Sequence, residues 1–200
     1  DIVMATDPDA DRVGIAVKRK DGQWMLLNGN QTASVLTYYL VNQWKVNNKL
    51  IGKEFIVKTI VTSELIKDIA ERNGVKSYDV LTGFKFIADK IKELEGTEVF
   101  IGGGEESYGY MIGDFVRDKD AVSTCAMIAE IAAWAADNGK TFFDVLIDLY
   151  KEYGFYKEDL LSMTKKGKSG GEEIKQMMVN YRSNPPKEIA GSKVVCIKDY

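Results

Sequence analysis

Histidine is absent from this 200-residue sequence. That absence removes histidine-based catalytic triads and histidine metal sites at once. Cysteine is nearly absent too: Cys125 and Cys196 stand far apart with no candidate ligands beside them. A zinc ribbon is excluded and no disulfide framework is indicated, so a reducing, cytoplasmic compartment is the simplest expectation. No basic cluster stands out in a chain of net charge −3, and no nucleic-acid partner is expected. Long apolar runs are missing as well. The most apolar stretch, CAMIAEIAAWAA, is too short for a bilayer and carries Glu130, and no signal-peptide pattern is visible, so no membrane partner is expected.

What is present is a hydrophobic fraction of 45%, enough for a proper core. The stretch that organises the chain is ATDPDADRVGIAV, in which Asp7, Asp9 and Asp11 alternate with small or rigid residues and Arg12 follows. Apolar, strand-like runs flank it on both sides, which puts the three carboxylates on a tight loop at a strand end. Carboxylates so crowded repel one another unless a cation or protons offset them. An all-oxygen set suits a hard cation, Mg2+ above all where phosphate chemistry is involved. An EF-hand would need glycine and glutamate where Arg12 and Lys18 stand, and helices in place of strands. A phosphatase of the haloacid-dehalogenase type also sets D-x-D after a buried strand and remains a rival, although Asp11 occupies the place where it would have Thr or Val.

Strands and helices alternate beyond the loop. A hairpin is expected over residues 13–27, then helix 31–44, strand 54–61, helix 65–72 behind a Thr62-Ser63-Glu64 cap, strand 75–81, helix 84–94 and strand 98–101. Two long helices, 120–137 and 141–153, follow. Such alternation argues for an α/β fold with helices packed on a mixed sheet. The basic, glycine-rich run at 165–171 reads as a linker, followed by a polar helix at 172–181, a break at Pro185-Pro186 and a last strand at 192–200. The chain starts at Asp1 inside one apparent strand and stops inside another, so a fragment of a longer protein is expected.

Three further segments carry polar groups at strand or helix ends. GGGEESYGY (residues 102–110) follows a strand, its glycines would permit close approach to a ligand, and Glu105 and Ser107 suit a polyhydroxylated one such as a sugar. It lacks the spacing of a nucleotide P-loop. LTGFKF (residues 81–86) places Thr82, Gly83 and Lys85 at a helix N-terminus, where backbone N–H groups can meet anions or hydroxyls. RDKDAV (residues 117–122) puts Lys119 just ahead of an apolar helix, with Asp118 or Asp120 as its cap.

In this order the segments resemble those of the α-D-phosphohexomutases, the phosphoglucomutase and phosphomannomutase superfamily. DPDADR is similar to that family's D-G-D-G-D-R metal loop, Gly104 to Ser107 to its G-E-x-S sugar loop, Thr82 to Lys85 to T-G-[FW]-K, and Lys119-Asp120 to its K-D pair. The wording of T-G-F-K and E-E-S-Y-G looks more like the phosphoglucomutase branch. The resemblance implies the third, sugar-binding α/β domain at residues 32–164, preceded by the end of a second domain with the metal loop (1–31) and followed by a linker and the start of an α+β C-terminal domain (165–200). It implies interconversion of a hexose 1-phosphate and a hexose 6-phosphate, with glucose 1-phosphate and glucose 6-phosphate favoured, through a phosphoserine and a bisphosphorylated sugar. Asp7, Asp9 and Asp11 would hold Mg2+, Arg12 and Lys119 would serve catalysis, and Thr82, Gly83, Glu105 and Ser107 would bind the sugar. The other partners would be the remaining domains of the same enzyme.

Two family features are missing. The serine of that family lies in an S-H-N-P-type loop, which a chain without histidine cannot contain, and no R-x-S-G-T phosphate clamp is present. The 200 residues alone are therefore expected to be inactive. The alternatives are a phosphatase with Asp7 as nucleophile and a non-catalytic module that binds sugar phosphate.

Overall fold

In the computed structural model, which describes residues 1–200, the alternation of Val13, Ile15 and Val17 with smaller residues forms a strand buried on one face. That strand, β2 (Val13–Lys18), lies between β1 (Ile2–Thr6) and β3 (Trp24–Leu27) in an antiparallel sheet. Thr6 sits opposite Val13, so the aspartate loop closes the β1–β2 hairpin. Helix α1 (Gly29–Val46) starts two residues before its expected beginning because Asn28 caps it. The Asn28 side chain accepts from Gln31 N at 2.9 Å, and Gln31 Oε1 accepts from Asn28 N at 3.0 Å. Gly29 is required there: a Cβ would lie 1.8 Å from the Glu106 carbonyl oxygen, whose loop rests on this first turn.

The main sheet has the order β5-β4-β6-β7. Strands β4 (Glu54–Thr59), β5 (Lys76–Val80) and β6 (Val99–Gly104) are parallel, and β7 (Tyr110–Ile112) runs antiparallel at the edge. The mixed α/β architecture matches the sequence-based expectation. β7 was not anticipated, since three residues between two glycines carry too little pattern. Side-chain alternation along β4 builds two cores. Ile56 faces α1 and α2 (Glu64–Arg72), whereas Phe55 and Val57 face α3 (Phe84–Leu94) through Phe84, Ile87 and Ile91. Ser63 caps α2 by accepting from Leu65 N at 3.2 Å, as the Thr62-Ser63-Glu64 signal predicts.

Helices α4 (Ala121–Asp137) and α5 (Phe142–Tyr153) join the larger core through Ile128, Ile131, Val145 and Leu149, and Val13, Ile15 and Val17 of β2 belong to that same core. The aspartate loop is thereby mounted on the α/β body. Thr141 and Asp144 form a reciprocal cap at the start of α5, with bonds of 2.8 and 3.1 Å.

Contacts divide the chain into Asp1–Lys157, described above, and Glu158–Tyr200. In the second unit α6 (Gly167–Ser183) begins five residues before the expected polar helix, so most of the supposed linker is helical. Gly170 admits the preceding chain, since a Cβ there would lie 2.8 Å from the Lys165 carbonyl carbon. The expected last strand at 192–200 is realised only in its first two residues. β8 (Glu188–Ile189) and β9 (Ser192–Lys193) pair across Ala190 and Gly191, both left-handed, and β8 is too short to pair more. Arg182 clasps Asp199 with two bonds, of 2.7 and 2.8 Å.

Candidate active site

The aspartate loop is closed by its own first residue. Asp7 Oδ1 accepts from both Asp11 N and Arg12 N at 3.1 Å, and Ala10 N donates to Asp7 O at 3.1 Å. Burial opposes the charge on Asp7, but these backbone donors outweigh it and hold its carboxyl below the usual range. Ala10 turns through the left-handed region (φ 56°), a conformation that glycine adopts without penalty. One oxygen from each of Asp7, Asp9 and Asp11 lies within 4.8 Å of the others. Asp11 Oδ1 is buried with no hydrogen-bond partner, and Arg12 Nε stands 3.8 Å away. A buried carboxylate oxygen without a donor is unfavourable unless something positive reaches it. Three carboxylates with one such oxygen among them are a donor set that fits Mg2+.

Tertiary contacts bring the other sequence-predicted segments to this loop. Arg12 bridges to Gly109, Val13 N donates to Tyr108 O at 3.1 Å, and Ala121 N donates to Ala10 O at 3.0 Å. The GGGEESYGY segment and the start of α4 are thus stitched to the aspartate loop by backbone bonds. Lys119 Nζ lies 2.9 Å from Asp11 Oδ2, 3.6 Å from Asp118 and 5.2 Å from the centre of the Phe84 ring. Burial works against its charge, yet Asp11, Asp118 and Glu105 more than compensate and raise its pKa. Gly109 makes room for it, because a Cβ there would sit 2.3 Å from Lys119 Cδ.

Glu105 is 5% exposed and its Oε1 accepts from Gly83 N at 3.0 Å. That bond satisfies an N-terminal donor of α3, a helix with no side-chain cap of its own, and it ties the T-G-F-K segment to the G-E-E-S segment. Thr82 is exposed and Ser107 half-buried, one on each of the two segments that Glu105 joins. The glycines 102–104 behave differently from expectation. They belong to β6, and packing inside the fold requires two of them: a Cβ would meet the Val57 carbonyl at 2.2 Å from Gly103 and the Gly109 carbonyl at 2.6 Å from Gly104, while at Gly102 it would meet only the end of the Leu40 side chain, at 2.8 Å. Phe84 and Gly109, which seat Lys119, lie inside the T-G-F-K and E-E-S-Y-G motifs, but nothing local to either marks it as a neighbour of Lys119.

A family model described as phosphoglucomutase/phosphomannomutase, alpha/beta/alpha domain III, matches residues 28–153. Over all 200 residues the chain is 42% identical to a phosphoglucomutase of Staphylococcus aureus strain N315, of which it covers 36%. The chain thus spans about a third of the length of the curated relatives it matches. Among solved structures, parafusin (a phosphoglucomutase) from Paramecium superposes with a TM-score of 0.60 at 21% identity, covering 77% of this chain and 25% of that one. The N-acetylphosphoglucosamine mutase of Aspergillus fumigatus, solved with GlcNAc-6P and magnesium, superposes with a TM-score of 0.52 at 16% identity, over 74% of this chain and 35% of that one. At those identities the likeness establishes the fold. The family match over most of the α/β body establishes descent, and this chain belongs to the phosphoglucomutase/phosphomannomutase family of the α-D-phosphohexomutase superfamily.

Proposed function

We propose that this chain is the metal- and sugar-binding part of a phosphoglucomutase, which interconverts glucose 1-phosphate and glucose 6-phosphate through a phosphoserine and a bisphosphorylated sugar. The observation that carries the reading is the buried Oδ1 of Asp11, which no hydrogen-bond donor meets, inside a three-carboxylate loop bonded through Arg12 and Val13 to Gly109 and Tyr108, just after the G-E-E-S segment. Asp7, Asp9 and Asp11 hold Mg2+ in this reading, and the bound ion would supply positive charge against the oxygens of the transferring phosphoryl group. Arg12, whose side chain is half-exposed beside the aspartates, presents a guanidinium fork to phosphate. Lys119, fixed between Asp11 and Phe84, orients and neutralises charge at the junction of the metal and sugar segments. Glu105 and Ser107 take the sugar hydroxyls, with Thr82 and Gly83 beside them. Because Glu105 Oε1 is engaged by Gly83 N, that carboxylate is held in one orientation for a ligand to meet.

In the same reading residues 1–31 end a second domain, 32–164 form the third, and 165–200 open the C-terminal domain of the whole enzyme. Family membership displaces the phosphatase alternative, in which Asp7 would be the nucleophile. The reading is tested by titrating Mg2+ into the wild-type chain and into Asp9→Ala in a calorimeter. A loss of affinity on the order of tenfold or more is expected from removing one of three carboxylates. Equal heats from the two proteins would sink the metal assignment. A second expectation concerns turnover: the 200 residues alone convert no glucose 1-phosphate in a coupled assay, and measurable phosphoglucomutase activity would refute the proposed division of labour.

A further inference from the structure

Glu105 and Glu106 are adjacent, yet their carboxylates serve opposite sides of the loop. Glu105 turns to Gly83 at the start of α3, whereas Glu106 turns to the β4–α2 connection. There Glu106 Oε2 lies 3.2 Å from both Thr59 Oγ1 and Thr62 Oγ1, and Glu106 N donates to Thr62 Oγ1 at 3.2 Å. The two threonines are buried with their Oγ1 atoms 2.7 Å apart, and their two hydroxyl protons make two of these three O···O contacts hydrogen bonds at a time. Beneath them Lys58, fully buried in β4, donates to Thr62 O at 3.1 Å and Thr59 O at 3.4 Å while it pairs with Glu64 and Asp79 at 3.0 Å.

We propose that Glu106 is a positioning residue: it anchors the 105–108 loop to the Thr59–Thr62 pair that Lys58 fixes, and so sets where Glu105 and Ser107 are presented. That a sugar phosphate is what they meet rests on the functional reading above; the anchor itself does not. Two features of the loop require such a hold. Tyr108 takes a left-handed conformation (φ 71°), which a non-glycine residue keeps only when its surroundings impose it. The loop is also gripped on its far side, where Tyr108 O accepts from Val13 N and Gly109 bridges to Arg12. Glu106 on one side and the aspartate hairpin on the other therefore fix the segment between them. Glu106 touches neither the aspartates nor Gly83, so its effect on a ligand passes through the loop's position.

The test uses the 200-residue chain with Glu106→Ala, Glu106→Gln and the isosteric Thr62→Val. Amide hydrogen exchange is followed at Glu105 N, which donates to Gly109 O at 2.9 Å, at Val13 N, and at β4 amides as the reference for global stability. Glu106→Ala and Thr62→Val are expected to accelerate exchange at Glu105 and Val13 by roughly tenfold to a hundredfold while β4 stays unchanged, and Glu106→Gln restores much of the protection. Affinity for glucose 6-phosphate, read from amide shifts in the same samples, falls and recovers in parallel. Unchanged loop exchange in both Glu106→Ala and Thr62→Val would overturn the proposal, as would equal acceleration throughout β4. A wild-type chain that ignores glucose 6-phosphate would count against the sugar-phosphate reading alone, since exchange still decides the anchor.

Discussion

Lys58→Met is expected to destabilise the α/β body by about 3 kcal/mol or more. Lys58 is fully buried, in register with Asp79 on the neighbouring strand β5, and its ammonium lies 3.0 Å from both Asp79 and Glu64. Met replaces the apolar stem well, so little of the cost comes from packing. The larger part is the charge left behind. Glu64 is partly exposed and can turn to water, but Asp79 is only 20% exposed and has Oδ1 buried with no hydrogen-bond partner besides this ion pair. The double variant Lys58→Met/Asp79→Asn separates the two contributions, because it removes the orphaned charge along with the lysine. It is expected to be less destabilised than the single variant, and urea unfolding of both measures the difference. A single variant within 1 kcal/mol of wild type would refute the argument. Surface pairs such as Lys140–Asp148, at 3.0 Å, offer the contrast: both partners are well exposed, and breaking them is expected to change stability by less than about 1 kcal/mol.

Gly103→Ala is expected to be nearly as damaging, on the order of 3 kcal/mol. Its Cβ would stand 2.2 Å from the carbonyl oxygen of Val57 and within 3.3 Å of that residue's carbon and nitrogen. Those atoms belong to β4, the strand in register with β6, so relief requires shifting one interior strand against another. Had the obstruction been the end of a flexible side chain, as Leu40 is for Gly102, a rotamer change would relieve most of it. Gly14→Ala is the control: nothing lies within 4 Å of its would-be Cβ, and stability is expected to stay within about 0.5 kcal/mol of wild type. Thermal unfolding of the two variants side by side checks the pair. Similar midpoints would mean that the sheet accommodates the methyl group.

Much of the architecture is readable from local chemistry. The helices α2, α4 and α5 fall where caps and apolar periodicity put them, because Ser63, Asp120 and Thr141 each satisfy N-terminal donors within their own segments. β4 is recognisable from its β-branched run. The failures share one cause: composition does not say which neighbours, or how much strand edge, the folded chain supplies. β7 is three residues long and exists because β6 offers it an edge; the run at 192–200 is strand-like by composition but has only β8 to pair with. Composition alone also assigned the glycines 102–104 to a ligand loop, whereas the neighbours that demand glycine at 103 and 104 are the backbones of Val57 and Gly109.

The site divides along the same line. By itself the sequence determined an α/β fold, a loop of three alternating carboxylates at Asp7, Asp9 and Asp11, and the family to which the chain belongs, because alternating acids between two strands and four short motifs in order are local properties of the chain. Only the tertiary structure decided that Lys119 faces Asp11 across Gly109, that Glu105 caps α3 through Gly83, and that Glu106 turns away toward Thr59 and Thr62. The physical reason is that a buried charge takes whichever partner the packing of distant elements brings within about 3 Å, and no spacing along one segment encodes that partner.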